Sequence, residues 1–197
     1  FESGYSEAGP PRAASFVEVR HHLFESGRLT ELSHLIERMR AFVLSRIPKP
    51  THSKVPRTTE VLEEHIVLID SLPEFERSKG LEYHLALCLK ARNCPSDYES
   101  ALDHARKAVG NGSYYAVWLL LADLEFSLNG SDAMMAVASR AITSLGAGSN
   151  VSAVYHHCAN LLDKDGRTRD AIIILEKAIH QQGIECKSAL IALCVRL

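Results

Sequence analysis

The stretch Val151–Gly183, VSAVYHHCANLLDKDGRTRDAIIILEKAIHQQG, decides the fold. Tyr155, Cys158, Ala159 and Leu162 fall at i, i+3, i+4 and i+7, an apolar stripe at the α-helical period. Asp165-Gly166 follows, and glycine accepts the left-handed backbone that a helix stop needs. A second stripe then runs through Ala171, Ile174, Leu175, Ala178 and Ile179. Small residues let two helices approach closely while bulky ones fill the space between them, so the stretch predicts a helix–turn–helix hairpin.

Working outward, the same pattern recurs. Trp118, Leu121 and Ala122 precede Tyr155, Cys158 and Ala159 by 37 residues, and Ala138 and Ala141 precede Leu175 and Ala178 by the same interval. Trp118–Ala147 is therefore a second copy, turning at Asn129-Gly130, with Met134 where the other copy has alanine. A third copy carries Leu85, Cys88 and Leu89, then Tyr98, Ala101, Ala105 and Ala108, the last of these 33 residues before Ala141. The longer interval is absorbed by the loop Gly146–Asn150.

These units resemble tetratricopeptide repeats, helix–turn–helix modules of about 34 residues. Tyr155, Ala159, Gly166, Ala171, Leu175 and Ala178 carry the likeness, which covers Leu81–Gly183, about half the chain. Ala159 stands where the family favours glycine, and Gly183 where proline is common. The resemblance implies an all-α fold, an αα-hairpin solenoid of about ten helices winding as a tetratricopeptide-like superhelix. It also implies a concave face lined by the first helix of each hairpin.

Counting outward from the core stripes, the lining positions are Tyr83, Ala86, Lys90 and Asn93 in one hairpin. The next two hairpins supply Ala116, Leu119, Asp123 and Phe126, then Ala153, His156, Asn160 and Asp163. Tyr83, Lys90, Asn93, Leu119, Asp123, Phe126, His156, Asn160 and Asp163 form the candidate partner-binding groove. Tetratricopeptide domains that hold the acidic carboxyl tails of chaperones use a clamp of Lys, Asn and Arg. Lys90 and Asn160 are present here, but Leu119, Asp123 and His156 stand beside them, and Asp123 would repel a carboxylate. Chaperone tails are therefore not the expected ligand. A peptide or amphipathic helix with apolar anchors fits better.

The rest of the chain divides by composition. Residues 1–14, with Gly4, Gly9, Pro10 and Pro11, are expected to form an extended arm. Residues 15–46 read as a divergent helical hairpin: one helix from Ser15 to Glu25, then Gly27, then a helix Leu29–Arg46. Residues 47–57 lie in the segment RIPKPTHSKVPR, where three prolines exclude a helix and the charges are all basic, so they read as a linker. Residues 58–197 hold the repeats, preceded by an amphipathic helix Thr58–Asp70 and followed by a capping or incomplete-repeat helix within Cys186–Leu197. Ser71 with Glu74, and Ser96 with Glu99, have capping-box spacing, and Gly80 reads as a break before the helix Leu81–Arg92. The start at Phe1 and the apolar ending SALIALCVRL suggest a fragment or a processed chain.

Composition narrows the function. A hydrophobic fraction of 46% and a net charge of −2 fit a folded chain with no overall pull toward nucleic acid or anionic membrane. No apolar run reaches the roughly 20 residues that span a bilayer. The five cysteines, odd in number and without a C-x-x-C, read as buried thiols in a reducing intracellular compartment, cytoplasmic or organellar. The Asn-x-Ser triplets at Asn111, Asn129 and Asn150 fall in expected turns and read as turn chemistry.

His21-His22 and His156-His157 are adjacent pairs, which diverge by about 100° on a helix and suit one metal ion poorly. Cys158 beside His157 could pair as nucleophile and base, but Cys158 belongs to the packing stripe. No phosphate-loop or nucleophile-elbow motif occurs. The expected function is thus non-catalytic, without cofactor or metal: a protein–protein interaction scaffold or adaptor, a structural subunit of a larger assembly. The alternatives are an RNA-associated helical-repeat protein of an organelle, drawing on the basic linker, and an all-α hydrolase or enzyme accessory domain using His156, His157 or Cys158.

Overall fold

The computed structural model describes residues 13–47, 56, 58–110, 114–146, 149–182 and 186–195. The expected N-terminal arm and basic linker therefore lie outside the described residues, apart from Ala13, Ala14, Ile47 and Pro56. All regular structure among the described residues is helical, without a strand. The nine α-helices divide into two compact units between Ser78 and Lys79.

The first unit holds α1 (Ala13–Glu25), α2 (Leu29–Arg46), α3 (Thr59–Asp70) and a single 3₁₀ turn, Glu74–Glu76. α1 packs on α2, and Leu23, Met39 and Val43 are buried. Of the apolar residues of α1, Leu23 faces inward while Val19 and Phe24 are exposed. Arg20 donates to the Ser71 carbonyl at the end of α3, tying the first helix of this unit to its third. Ser71 does not start a helix. Its hydroxyl donates back to the Leu68 carbonyl at 2.6 Å, and the Arg77 guanidinium covers the carbonyls of Asp70 and Leu72. These bonds satisfy carbonyls left open at the C-terminus of α3.

The second unit holds α4 (Lys79–Arg92), α5 (Asp97–Ala108), α6 (Tyr115–Leu145), α7 (Ser149–Lys164), α8 (Thr168–Gln182) and α9 (Lys187–Cys194). Each packs on the next in chain order, the short-range pattern consistent with a helical repeat. The hydrogen-bonded run of α6 is bent at Gly130, whose φ of 82° and ψ of −170° no helix contains. Its two limbs are the two helices expected on either side of Asn129-Gly130. Counted as one element they make nine helices among the described residues, against the ten or so expected.

The alanines that defined the repeat pattern are the close contacts of this unit. Ala101, Ala105, Ala122, Ala138 and Ala171 are fully buried, and Ala108, Ala159 and Ala178 are 1% exposed. Trp118, Tyr155, Leu121, Leu162 and Leu175 fill the spaces they leave. Gly166 ends α7 at φ 78°, with the Arg167 N–H reaching the Leu162 carbonyl at 2.8 Å. This is the left-handed helix stop read from Asp165-Gly166.

Two local expectations fail in this second unit. Gly80 does not break a helix, because α4 already begins at Lys79. Ser96 does not cap α5: it has helical dihedrals and no side-chain capping bond. Asp97 takes over the turn, accepting two 2.7 Å bonds from the Arg92 guanidinium and one from the Cys94 N–H. A bidentate guanidinium–carboxylate pair is stronger than a neutral hydroxyl cap. The Arg92 hydrogen bonds outweigh the burial that opposes them and hold the Asp97 carboxyl below its usual range.

The five cysteines are all free. Burial pushes the thiols of Cys88 and Cys158 up to about 12, so almost no thiolate forms at neutral pH. Cys94 and Cys194 are exposed. Titration of the native protein with a disulfide reagent is expected to modify Cys94 and Cys194 fast, and Cys88 and Cys158 only after denaturant is added. Peptide mapping of the modified sites checks the assignment.

Candidate functional site

Except for Asn93, which follows the end of α4, the candidate groove residues sit on α4, the first limb of α6, and α7, three helices that lead successive hairpins. The structure joins these helices through one carboxylate. Asp123 on α6 accepts from Lys90 Nζ on α4 at 2.5 Å and meets His157 Nε2 on α7 at 2.6 Å. The partners lie 33 residues before and 34 after Asp123, so each hairpin contributes one member. Lys90, Asp123 and His157 side chains are 29%, 22% and 30% exposed, which places the network at the edge of the packed interior. Burial pushes the Asp123 pKa up, but hydrogen bonds from His157 and Lys90, with their charges, outweigh it and hold the carboxyl below its ordinary value.

Parallel ties run through the layer. Glu82 on α4 meets His104 on α5 at 2.6 Å, and Glu125 on α6 accepts from Arg106 on α5 at 2.8 Å. Asn129 donates to the other oxygen of Glu125. Carboxylates 5% and 9% exposed are thereby given partners, as buried charges require.

The nine groove residues divide into three groups. Lys90 and Asp123 are brought together. Tyr83, Leu119, Phe126 and His156 are half-buried along the same helices, and Asn160 is exposed on α7. Burial, with the nearby Tyr115, raises the Tyr83 phenol above its ordinary value. His156 Nε2 is buried without a hydrogen-bond partner. Asn93 and Asp163 instead close turns within their own hairpins. Asn93, at φ 60°, accepts from the Tyr98 hydroxyl, and Asp163 accepts from Thr168 Oγ1 at the start of α8. Ala86, counted among the lining positions, is fully buried and lines nothing.

His157 is the member that sequence reasoning placed elsewhere, as half of a doubtful metal pair. With the 37-residue interval, the position equivalent to Asp123 is Asn160. Asp123 reaches one turn earlier on α7 instead. The 34-residue step from Asp123 to His157 was the available signal. The other adjacent pair is also spoken for in part: His21 lies 3.2 Å from Glu25 on the same helix.

A comparison of the chain with protein-family models and with curated proteins finds no match. No helix among the described residues is long and apolar enough to cross a membrane.

Proposed function

We propose that the second unit is a tetratricopeptide-like solenoid serving as a non-catalytic scaffold or adaptor, and that α4, the first limb of α6 and α7 form its partner-binding wall. The observation that carries this reading is the Lys90–Asp123–His157 row, which sets three hairpin-leading helices side by side at a repeat-like interval. A row of helices held in register offers a long, preformed surface, and preformed surfaces bind extended partners with little ordering cost. Lys90, Asp123 and His157 already satisfy one another. The side chains left to touch a partner are Tyr83, Leu119, Phe126 and His156, an apolar and aromatic set, with the polar Asn160 beside them.

The same row argues against acidic carboxyl tails as ligands. The one lysine of the expected clamp already faces a carboxylate, so a second carboxylate would have to displace Asp123 or share its ammonium. A segment with apolar anchors, and a basic group near Asp123, suits the wall better.

The test compares the proteins retained from native lysate by the wild-type chain, by Asn160→Arg and by Phe126→Ala. Asn160 is exposed, so its replacement leaves the core alone. A defined set of proteins held by wild type and lost from both variants, whose helicity and unfolding midpoints stay close to wild type, is the expected result. Identical retention by all three overturns the wall assignment.

A further inference from the structure

A second surface lies away from this wall. The second limb of α6 and the facing side of α8 enclose an open groove of about 480 Å³, floored by Tyr155 of α7. Met135, Ala136, Ile173 and Ile174 give it apolar walls, and Ile173 is 56% exposed. Asp132 and Lys177 also line it. Both are exposed, and neither is engaged in an ion pair among the described residues, with each other or with any third group. The less exposed carboxylates of this unit, Asp97, Asp123, Glu82 and Glu125, are paired, whereas exposed charges such as Glu99 and Glu176, like these two, are not, among the described residues. An apolar groove flanked by one unpaired acid and one unpaired base is electrically neutral as a whole and locally polarised.

We propose that this groove is a self-association surface, occupied by the same groove of a second copy of the chain. A two-fold contact requires a patch that is complementary to itself. One acid and one base beside a common apolar floor satisfy that condition: rotation sets Asp132 of each copy against Lys177 of the other, forming two ion pairs at once. The protruding Ile173 of each copy then enters the space beside Ala136 of the other, where the small side chain leaves room. A binding site for a different protein has no need for balanced charges on its own rim. The expected dimer is weak and reversible, because the two charge pairs are solvent-exposed at the edge of a small apolar contact. The exposed groove residues, on the second limb of α6 and on α8, are not among those of the partner wall; α7 contributes only the buried Tyr155 to the groove floor.

Charge reversal tests it without an external ligand. Sedimentation equilibrium over a concentration series reaching about 100 µM reads the dissociation constant directly. Wild type is expected to move from the 21.8 kDa monomer toward twice that mass. Asp132→Lys and Lys177→Asp each place like charges together twice per dimer and are expected to weaken association by about tenfold or more. The double variant, Asp132→Lys with Lys177→Asp, re-creates both pairs with reversed polarity and is expected to return to within about threefold of wild type. A wild-type mass that stays monomeric throughout overturns the proposal and leaves the groove to another occupant. A dimer indifferent to the single reversals, or a double variant no better than the singles, overturns it as well.

Discussion

Trp118→Ala is expected to lower the unfolding free energy by about 3–5 kcal/mol. Trp118 is the largest of the fully buried side chains, 1% exposed, on the first limb of α6. Its removal deletes the apolar surface of an indole and leaves a cavity in a packed interior. Fully buried Leu121, Ala138 and Ala141, on the two limbs of α6, leave little slack for relaxation. The Arg140 guanidinium, 5.9 Å from the ring centre, loses its aromatic face in the same step. A domain of this size is typically stable by only about 5–15 kcal/mol, so the loss is a large share of the total.

Trp118 is the sole tryptophan, so fluorescence cannot follow the variant, and urea unfolding by far-UV circular dichroism is the measurement to use. Trp118→Phe separates packing from polarity. It keeps most of the apolar volume and deletes the indole N–H, which is buried without a partner. The phenylalanine variant is therefore expected to lose well under half of what alanine loses. A loss below about 1 kcal/mol for alanine would mean that the second unit is not anchored here.

That anchor was legible in the sequence because burial in paired helices follows spacing. The alanines at Ala101, Ala105, Ala138, Ala141 and Ala178, and the aromatic positions Trp118 and Tyr155, could be placed inward from periodicity alone, and they lie there. Turns were legible where glycine made them, at Gly130 and Gly166. Helix starts were less so. A serine with a glutamate three residues on is a local signal, and at Ser96 it lost to a longer-range one, the Arg92–Asp97 pair spanning the turn between α4 and α5. Periodicity was a poorer guide in the first unit, where the apolar Phe24 is exposed and opens onto a recess beside Leu32, Ile36 and Phe75.

The wall was half legible. Periodicity could say that Lys90 and Asp123 lie on one face, but not that they touch, since contact depends on the stagger of successive helices. That stagger, one turn along α7, is what exchanged Asn160 for His157. Two residues on the same nominal row thus differ in environment, His157 bonded to Asp123 and Asn160 exposed.

Asp123→Asn is expected to cost about 1–3 kcal/mol at neutral pH, and the cost is expected to vanish in acid. Both carboxylate oxygens are used, one by an ammonium and one by an imidazole. Asparagine has one acceptor oxygen and an amide that faces a donor on the other side. Lys90 or His157 then loses its partner in a site less than one-third exposed. The pH dependence follows from the direction of the Asp123 shift. Its folded pKa lies below the ordinary aspartate value of 3.8, so the unfolded chain takes up the proton first as pH falls. Well above 3.8 the carboxylate is charged in both states and the full stabilisation is present. As pH falls through 3.8 and then through the lower folded value, the contribution shrinks to nothing, because a protonated Asp123 is electrically equivalent to the asparagine.

Asp97, also depressed, titrates in the same direction, so wild-type stability alone cannot isolate Asp123. The difference between wild type and Asp123→Asn can, because Asp97 is common to both and its contribution cancels. Urea unfolding of both proteins from neutral pH down to about pH 3 is expected to give curves that converge as acid is added. A gap that stays constant with pH would assign the role of Asp123 to shape and packing. The three helices would then be held in register by their alanines alone, and the wall would lose its electrostatic tie without losing its fold.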